Sequence, residues 1–249
     1  MSLIPTTSLH LDLRLGGTQV RNFRAAIIEA TGQDLELLHN KDADGKSVLR
    51  YPLVQYRVKG GHAAAWAVGP GCDQLRQWLF SSQGQLRIGG RDVPFRVTDW
   101  KDDRFDLIMT PKERPNWYYL GRWLPLKDEP YRDWLKAPNL KARIELLERM
   151  LVANIHTFAR ELDWTMPEWL QVDLQQIVHT RKAKFHGNDF VGFDVVFTAN
   201  VALPPGLGLG HAVSHGYGIA VPVKPFTKPE EFWDKQRQQQ QLEVELGGL

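Results

Sequence analysis

His39 stands in the run Leu37-Leu38-His39-Asn40-Lys41-Asp42, directly after an apolar pair and at the edge of the Asp42-Ala43-Asp44-Gly45 loop. An imidazole with an ordinary pKa of about 6.5 gives or takes a proton at neutral pH. A histidine between a buried pair and a polar loop is placed to line the wall of a groove. The same pattern suits a surface or capping histidine, and the residues alone leave both readings open.

A second run is Pro204-Pro205-Gly206-Leu207-Gly208-Leu209-Gly210-His211-Ala212-Val213-Ser214-His215-Gly216-Tyr217-Gly218. Five glycines in thirteen residues mean a backbone that approaches something closely, either a phosphate held by amide groups or a neighbouring element packed tightly. A dinucleotide fingerprint would open a helix in an N-terminal βαβ unit. This run lies late in the chain and leads into the strand-like Ile219-Ala220-Val221-Pro222-Val223. His211 and His215 have the spacing of a zinc pair, but such a pair needs a helix and a nearby acid, and the flanking glycines oppose a helix. A histidine that stacks on a base or touches a phosphate fits better.

The elements that carry these residues read as α+β. Alternation over Ser8–Leu15 predicts a half-buried strand. Thr18 is expected to cap a helix with Val20, Phe23, Ile27 and Ala30 on one face and Gly32 as its stop. Strands follow at 51–58 and 63–68, then a helix with Leu75, Trp78 and Leu79, then strand material at 86–88, 93–97 and 105–109. That order is the ferredoxin-like, or RRM-like, plan.

A Pro- and charge-rich junction at 111–115 leads to a second such unit. It has a strand at 117–126, a short helix or linker at 130–138, and a long helix marked by Ile144, Leu147, Leu151, Ile155, Phe158 and Leu162. Strands at 172–185 and 190–203 are joined at Gly187-Asn188, a hairpin turn signal, and a last strand covers 218–223. Domain boundaries are expected at 1–112, 113–225 and a Gln-rich charged tail, 226–249. Most of the nine tryptophans read as packing residues.

Net charge is only +2 over 249 residues, which on its face argues against a strongly basic polyanion binder. Its distribution argues otherwise. The tail carries 3 basic and 5 acidic residues, while 1–112 carries 15 and 12 and 113–225 carries 13 and 12. Lys46, Arg50, Arg57 and Lys59 lie in a stretch from Gly45 to Cys72 without a carboxylate, and Arg181, Lys182 and Lys184 in another from Leu174 to Asn188. Such windows suit a phosphate backbone, although a solvated charged face looks the same in sequence. The single cysteine, Cys72, excludes a disulfide framework and a multi-thiolate zinc site. No apolar run nears the roughly 20 residues of a membrane span, and Met1-Ser2-Leu3-Ile4-Pro5-Thr6 lacks a signal-peptide plan, so a cytoplasmic protein without membrane contact is expected.

His39-Asn40-Lys41 followed by Arg50-Tyr51-Pro52-Leu53-Val54-Gln55-Tyr56 resembles the N-terminal signature of the CRISPR RNA-processing endoribonucleases of the Cas-six family, in particular its b-type. Gly206-Leu207-Gly208-Leu209-Gly210 through Gly216-Tyr217-Gly218 is similar to the glycine-rich loop of the wider RAMP superfamily. The two motifs stand at opposite ends of about residues 8–223.

The resemblance implies two tandem ferredoxin-like domains with a C-terminal glycine-rich loop, and metal- and cofactor-free cleavage of repeat RNA. In that reaction a 2′-hydroxyl attacks its own 3′ phosphate and leaves a 2′,3′-cyclic phosphate and a 5′-hydroxyl. It further implies His39 as general base or acid, Lys41 as phosphate stabiliser, and Tyr51 or Tyr56 as hydroxyl partner. Some b-type members carry a second histidine where this chain has Lys41, a departure that leaves the second proton-transfer role open. RNA is expected along Arg50, Arg57 and Lys59, along His179, Arg181, Lys182, Lys184 and His186, and at Gly206, Gly208, Gly210, His211, His215 and Gly216. The implied partners are CRISPR repeat RNA and other CRISPR-associated effector subunits, with the protein a monomer or homodimer. A RAMP subunit that holds RNA without cutting it is the alternative; a small-molecule enzyme whose glycine loop takes a phosphate is a third.

Overall fold

Residues 3–31, 35–39, 50–166, 169–185 and 188–225 are described in the computed structural model of the chain, and they fall into two units. The first comprises Leu3–Phe105 with Ser214–Gly216, the second Asp106–Val213 with Tyr217–Lys224.

In the first unit, β1 (Leu3–Arg14) turns Leu9, Leu11 and Leu13 into the core and leaves His10 and Asp12 between them on the other face. Helix α1 (Val20–Thr31) buries Val20, Phe23, Ala26 and Ile27, and the short α2 (Glu36–His39) follows. β2 (Val54–Lys59) and β3 (His62–Val68) form an antiparallel pair. Helix α3 (Gly71–Ser81) buries Cys72, Leu75 and Trp78. The hairpin β4 (Gln85–Ile88) and β5 (Arg91–Pro94) precedes β6 (Val97–Asp106). The main sheet runs β2-β3-β1-β6, so the first and third strands of the βαββαβ plan are central and β4-β5 is an insertion.

The second unit repeats the plan. β7 (Asn116–Trp123), α4 (Glu129–Lys136), α5 (Leu140–Glu161), β8 (Val172–Phe185), β9 (Asn188–Ala199) and β10 (Ile219–Pro222) give the sheet order β10-β7-β9-β8. Asn139 caps α5 by accepting from the Ala142 N–H at 2.9 Å, and Leu147, Leu151, Ile155 and Phe158 are buried along its inner stripe. Among the described residues no α-helix stands between β9 and β10; the glycine-rich segment with a single 3₁₀ turn, Val213–His215, takes that place. Among the described residues no helix is long and apolar enough to cross a membrane.

Several local expectations change. Entry to α1 is made by a 3₁₀ turn at Gly17–Gln19, where the Gln19 side chain accepts from the Gly16 N–H at 2.7 Å, so the cap lies at Gly16 and not at Thr18. The strands expected at 93–97 and 105–109 are replaced by β5 and one long strand, β6, whose largely exposed residues hide its period. In β9 apolar Phe193, Val195, Phe197 and Ala199 alternate with the mostly polar Asp194, Val196, Thr198 and Asn200, yet the second side is buried as well: Asp194 is 0% exposed, Val196 0%, Thr198 3% and Asn200 1%. Gly32 and the tail 226–249 lie outside the described residues.

Candidate nucleic-acid interface

A helix as short as α2 cannot hold itself and depends on tertiary anchors. Leu35 and Leu38 are buried, the Leu37 N–H donates to Gln74 Oε1 at 2.8 Å, and the Tyr56 hydroxyl donates to the Leu38 carbonyl at 3.1 Å. Arg50 faces Glu36 at 3.8 Å. The backbone of His39 is thus fixed where α2 ends. The side chain of His39, and Lys41, lie outside the described residues.

Tyr56 is a core residue and not a reactive hydroxyl at a surface. It is 0% exposed, meets the Phe23 ring edge-on at 5.7 Å, and burial pushes its phenol far above the ordinary tyrosine value despite the pull of Arg24. Its part is to hold α2. Tyr51 is 6% exposed, and its hydroxyl accepts from Gln55 Nε2 at 2.7 Å. The same amide accepts from Arg57 Nη2 at 3.2 Å, which links Tyr51, Gln55 and Arg57 across the start of β2. Arg57 lies against the Trp66 ring at 5.7 Å, and burial pulls its guanidinium down to about 10, still charged at neutral pH. It is therefore a half-buried cation held by Gln55 and Trp66.

β-Strand alternation puts Arg57 and Lys59 on the face of the first sheet turned away from Phe23 and Tyr56. Lys59 Nζ approaches His10 Nε2 at 3.5 Å, and His10 Nδ1 faces Asp99 at 3.4 Å. Burial, then Lys59, lowers the His10 pKa against the raising effect of Asp99, which favours the neutral imidazole at pH 7. His10 was not singled out in the sequence, although its polar place in the β1 alternation was the available signal. Gly216, in this same unit, takes φ +79, and a Cβ there would stand 3.3 Å from the Tyr56 carbonyl.

In the second unit, His179 and Arg181 come together on Asp194: His179 Nδ1 lies 3.6 Å from Oδ2, and Arg181 donates to the same oxygen. Lys182 is exposed on the opposite face of β8. The Lys184 side chain and His186 lie outside the described residues. Arg122, at a register shift in β7 with φ +54, donates its N–H to Asp194 Oδ1 at 2.7 Å and lays its guanidinium over the Tyr217 ring at 4.5 Å. Arg122 and Asp194 are further residues that the sequence reading passed over, and Tyr217 entered it only as part of the glycine-rich run. They are far apart in the chain and only the sheet register joins them.

The glycine-rich run is committed to packing at several points. Gly206 donates its N–H to the Ala220 carbonyl at 2.9 Å, and Gly208 bridges to Ile219. At Gly210 (φ +93) a Cβ would lie 2.8 Å from the Trp123 indole, and at Gly218 (φ +65) 1.9 Å from the Leu209 carbonyl. At Gly206, Gly210 and Gly218 these contacts are ones that tight packing requires. His211 donates its N–H to the Leu124 carbonyl at 3.0 Å, and burial followed by Lys127 lowers its pKa against Asp128. His215 Nδ1 lies 3.2 Å from Ser214 Oγ. His215 lies in the 3₁₀ turn Val213–His215 and His211 precedes it, so they do not share one helical face.

Residues 2–106 match the Cas6b N-terminal domain and residues 110–223 the Cas6b C-terminal domain. The uncharacterized protein MJ0978 of Methanocaldococcus jannaschii is 33% identical over 128 residues, covering 51% of this chain and 86% of that one. A crystal structure of Cas6b superposes with a TM-score of 0.72 at 22% identity, over 88% of this chain and 100% of that one. The CRISPR RNA processing endoribonuclease Cas6b does so with a TM-score of 0.64 at 20% identity, again over 88% and 100%.

Proposed function

The chain belongs to the Cas6b family of CRISPR RNA-processing proteins, and from that premise we propose that it cuts precursor CRISPR RNA within the repeat by metal-independent attack of a 2′-hydroxyl on the adjacent phosphodiester. The bond from the 2′-oxygen to phosphorus forms as the bond from phosphorus to the 5′-oxygen breaks, so one product ends in a 2′,3′-cyclic phosphate and the other begins with a 5′-hydroxyl. Such a transfer needs alignment, a group that takes the 2′ proton, a group that gives one to the leaving oxygen, and positive charge near the phosphate.

His39 is assigned one of the two proton transfers, Lys41 the phosphate charge, and Tyr51 the hydroxyl partner that Gln55 orients. Tyr56 is assigned no chemical step, because its hydroxyl is spent on α2. The observation that carries this reading is the placement of His39 at the end of a helix pinned through Leu38 and Tyr56, just ahead of the carboxylate-free stretch from Gly45 to Cys72. We assign the RNA grip of the second unit to His179 and Arg181, which share one face of β8, and leave Lys182, on the other face, outside it. The activity is assigned to the cytoplasm, in keeping with a chain of 249 residues that holds a single cysteine.

The test is incubation of the purified protein with its cognate repeat RNA in EDTA, followed by end-group analysis. A 2′,3′-cyclic phosphate and a 5′-hydroxyl support the reading. RNA that is bound but stays intact makes the chain a binding-only member of its family, and cleavage that stops in EDTA makes the reaction metal-dependent.

A further inference from the structure

Asp194 lies on β9 with its side chain fully buried, at 0% exposure. A carboxylate is tolerated in such a place only when donors or cations fill its oxygens. Oδ1 accepts from the Arg122 backbone N–H at 2.7 Å, while Oδ2 accepts from Arg181 Nη2 and faces His179 Nδ1 at 3.6 Å. Strand pairing builds this cluster, since His179 is the cross-strand partner of Asp194 and Arg181 that of Gly192. β8 is the terminal strand of its sheet, so both cations stand along an open edge.

Two features separate this cluster from an ion pair that merely neutralises a buried acid. First, the acid is inaccessible but its partners are not: the Arg181 side chain is 38% exposed and that of His179 48%. Second, the residue opposite Arg181 is a glycine, and a Cβ on Gly192 would stand 3.4 Å from Arg181 Cγ and 3.2 Å from Leu124 Cδ2. The missing side chain is the lane by which the Arg181 stem crosses to Asp194.

We propose that Asp194 is a positioning residue that fixes Arg181 and His179 at the edge of the second sheet as one preformed grip on an RNA phosphate. A guanidinium carries five donors in a planar fork. One arm is held by Asp194, and the side chain is 38% exposed, so a phosphodiester oxygen can take a donor that Asp194 leaves over. Asp194 cancels a positive charge in doing so. What the cluster gains is therefore geometry and not field strength, because a long side chain already held in place loses less freedom when it binds. The Arg122 backbone closes the other side of the carboxylate and keeps it from turning.

The proposal rests on RNA being the ligand of this chain, and its test separates the two claims. Binding of repeat RNA is measured for wild type, R181Q, R181K and D194N across a salt series, together with KM and kcat for cleavage. D194N and R181K are each expected to weaken RNA binding by about tenfold, with the larger share of the loss in KM than in kcat, although R181K keeps its charge. R181Q is expected to lose about as much affinity and to lower the slope of log K against log salt by about one. The D194N/R181Q double variant should bind no worse than R181Q, because Asp194 acts through Arg181. R181K binding like wild type, or D194N binding like wild type with an unchanged salt slope, overturns the proposal. Should D194N fail to fold, R181K alone decides it. Wild-type protein that binds repeat RNA without cutting it overturns the nuclease reading and leaves this comparison to stand or fall on binding.

Discussion

The hydroxyl of Tyr56 donates to the carbonyl of Leu38 at 3.1 Å, one residue before His39. A fully buried side chain on β2 thereby holds the last turn of α2, so the backbone position of His39 depends on the core of the first unit. The tyrosine that the family resemblance brings to the site uses its hydroxyl to hold α2.

Removing that hydroxyl alone tests this division of labour. Y56F keeps the ring against Phe23 and should cost about 1 kcal/mol of stability, the typical net worth of a buried hydrogen bond, with a somewhat larger loss if the carbonyl stays dry. Cleavage kcat is expected to fall while RNA affinity holds, measured by single-turnover kinetics beside equilibrium binding. An unchanged kcat would detach Tyr56 from the placement of His39.

A glycine of the C-terminal run, compared with one in the turn between β2 and β3, should tell packing from RNA contact. G218A adds a methyl where 1.9 Å separates the built Cβ from the Leu209 carbonyl, at φ +65, and is expected to destabilise by well over about 1 kcal/mol. G60A, at φ +57 with nothing within 4 Å, carries only the backbone penalty. Thermal unfolding of both proteins without RNA checks the ordering. Similar melting temperatures with a selective loss of RNA binding by G218A would return that glycine to the phosphate reading.

Asp102 ties the edge of the first sheet to its neighbours, and its contribution should depend on pH. Burial raises its pKa, but donation by the Thr7 hydroxyl at 2.6 Å, the Trp100 indole at 2.9 Å and Arg76 at 3.2 Å outweighs that and leaves it below its ordinary 3.8. A carboxyl whose pKa is lowered on folding stabilises the fold above the unfolded value and loses that contribution as pH falls through the folded one. The stability gap between wild type and D102N should therefore be widest from neutral pH down to about 4 and close below it. Urea midpoints at pH 7 and at a series of values below about 4 measure it, and a gap that does not shrink as pH falls through that series would mean that the charge of Asp102 is not what matters.

Local periodicity and partners close in sequence made much of the fold legible before any coordinates. The stripe of Leu147, Leu151, Ile155 and Phe158 marks α5, and the limits expected for β8, 172–185, are those observed. β6 escaped because Val97–Asp106 is a mostly exposed edge strand whose charges mask its alternation, and α4 was ambiguous because it buries no residue. The site was less legible for a different reason. The depth of Tyr56, the closeness of Gly210 to Trp123 and the cluster on Asp194 all depend on contacts between distant segments, which alternation along one strand does not contain. The side of β9 that carries Asp194 reads as polar and hence exposed, yet it is buried.

The central claim is that His39 moves a proton in a metal-independent transesterification. Its most direct test compares wild type with H39A on cognate repeat RNA in EDTA, with the rate read as formation of 2′,3′-cyclic phosphate at saturating protein. Loss of the proton-transfer group should slow cleavage by about 10²–10⁴-fold while RNA binding stays within about threefold. Cleavage by H39A at the wild-type rate would contradict the account and move the active site away from α2.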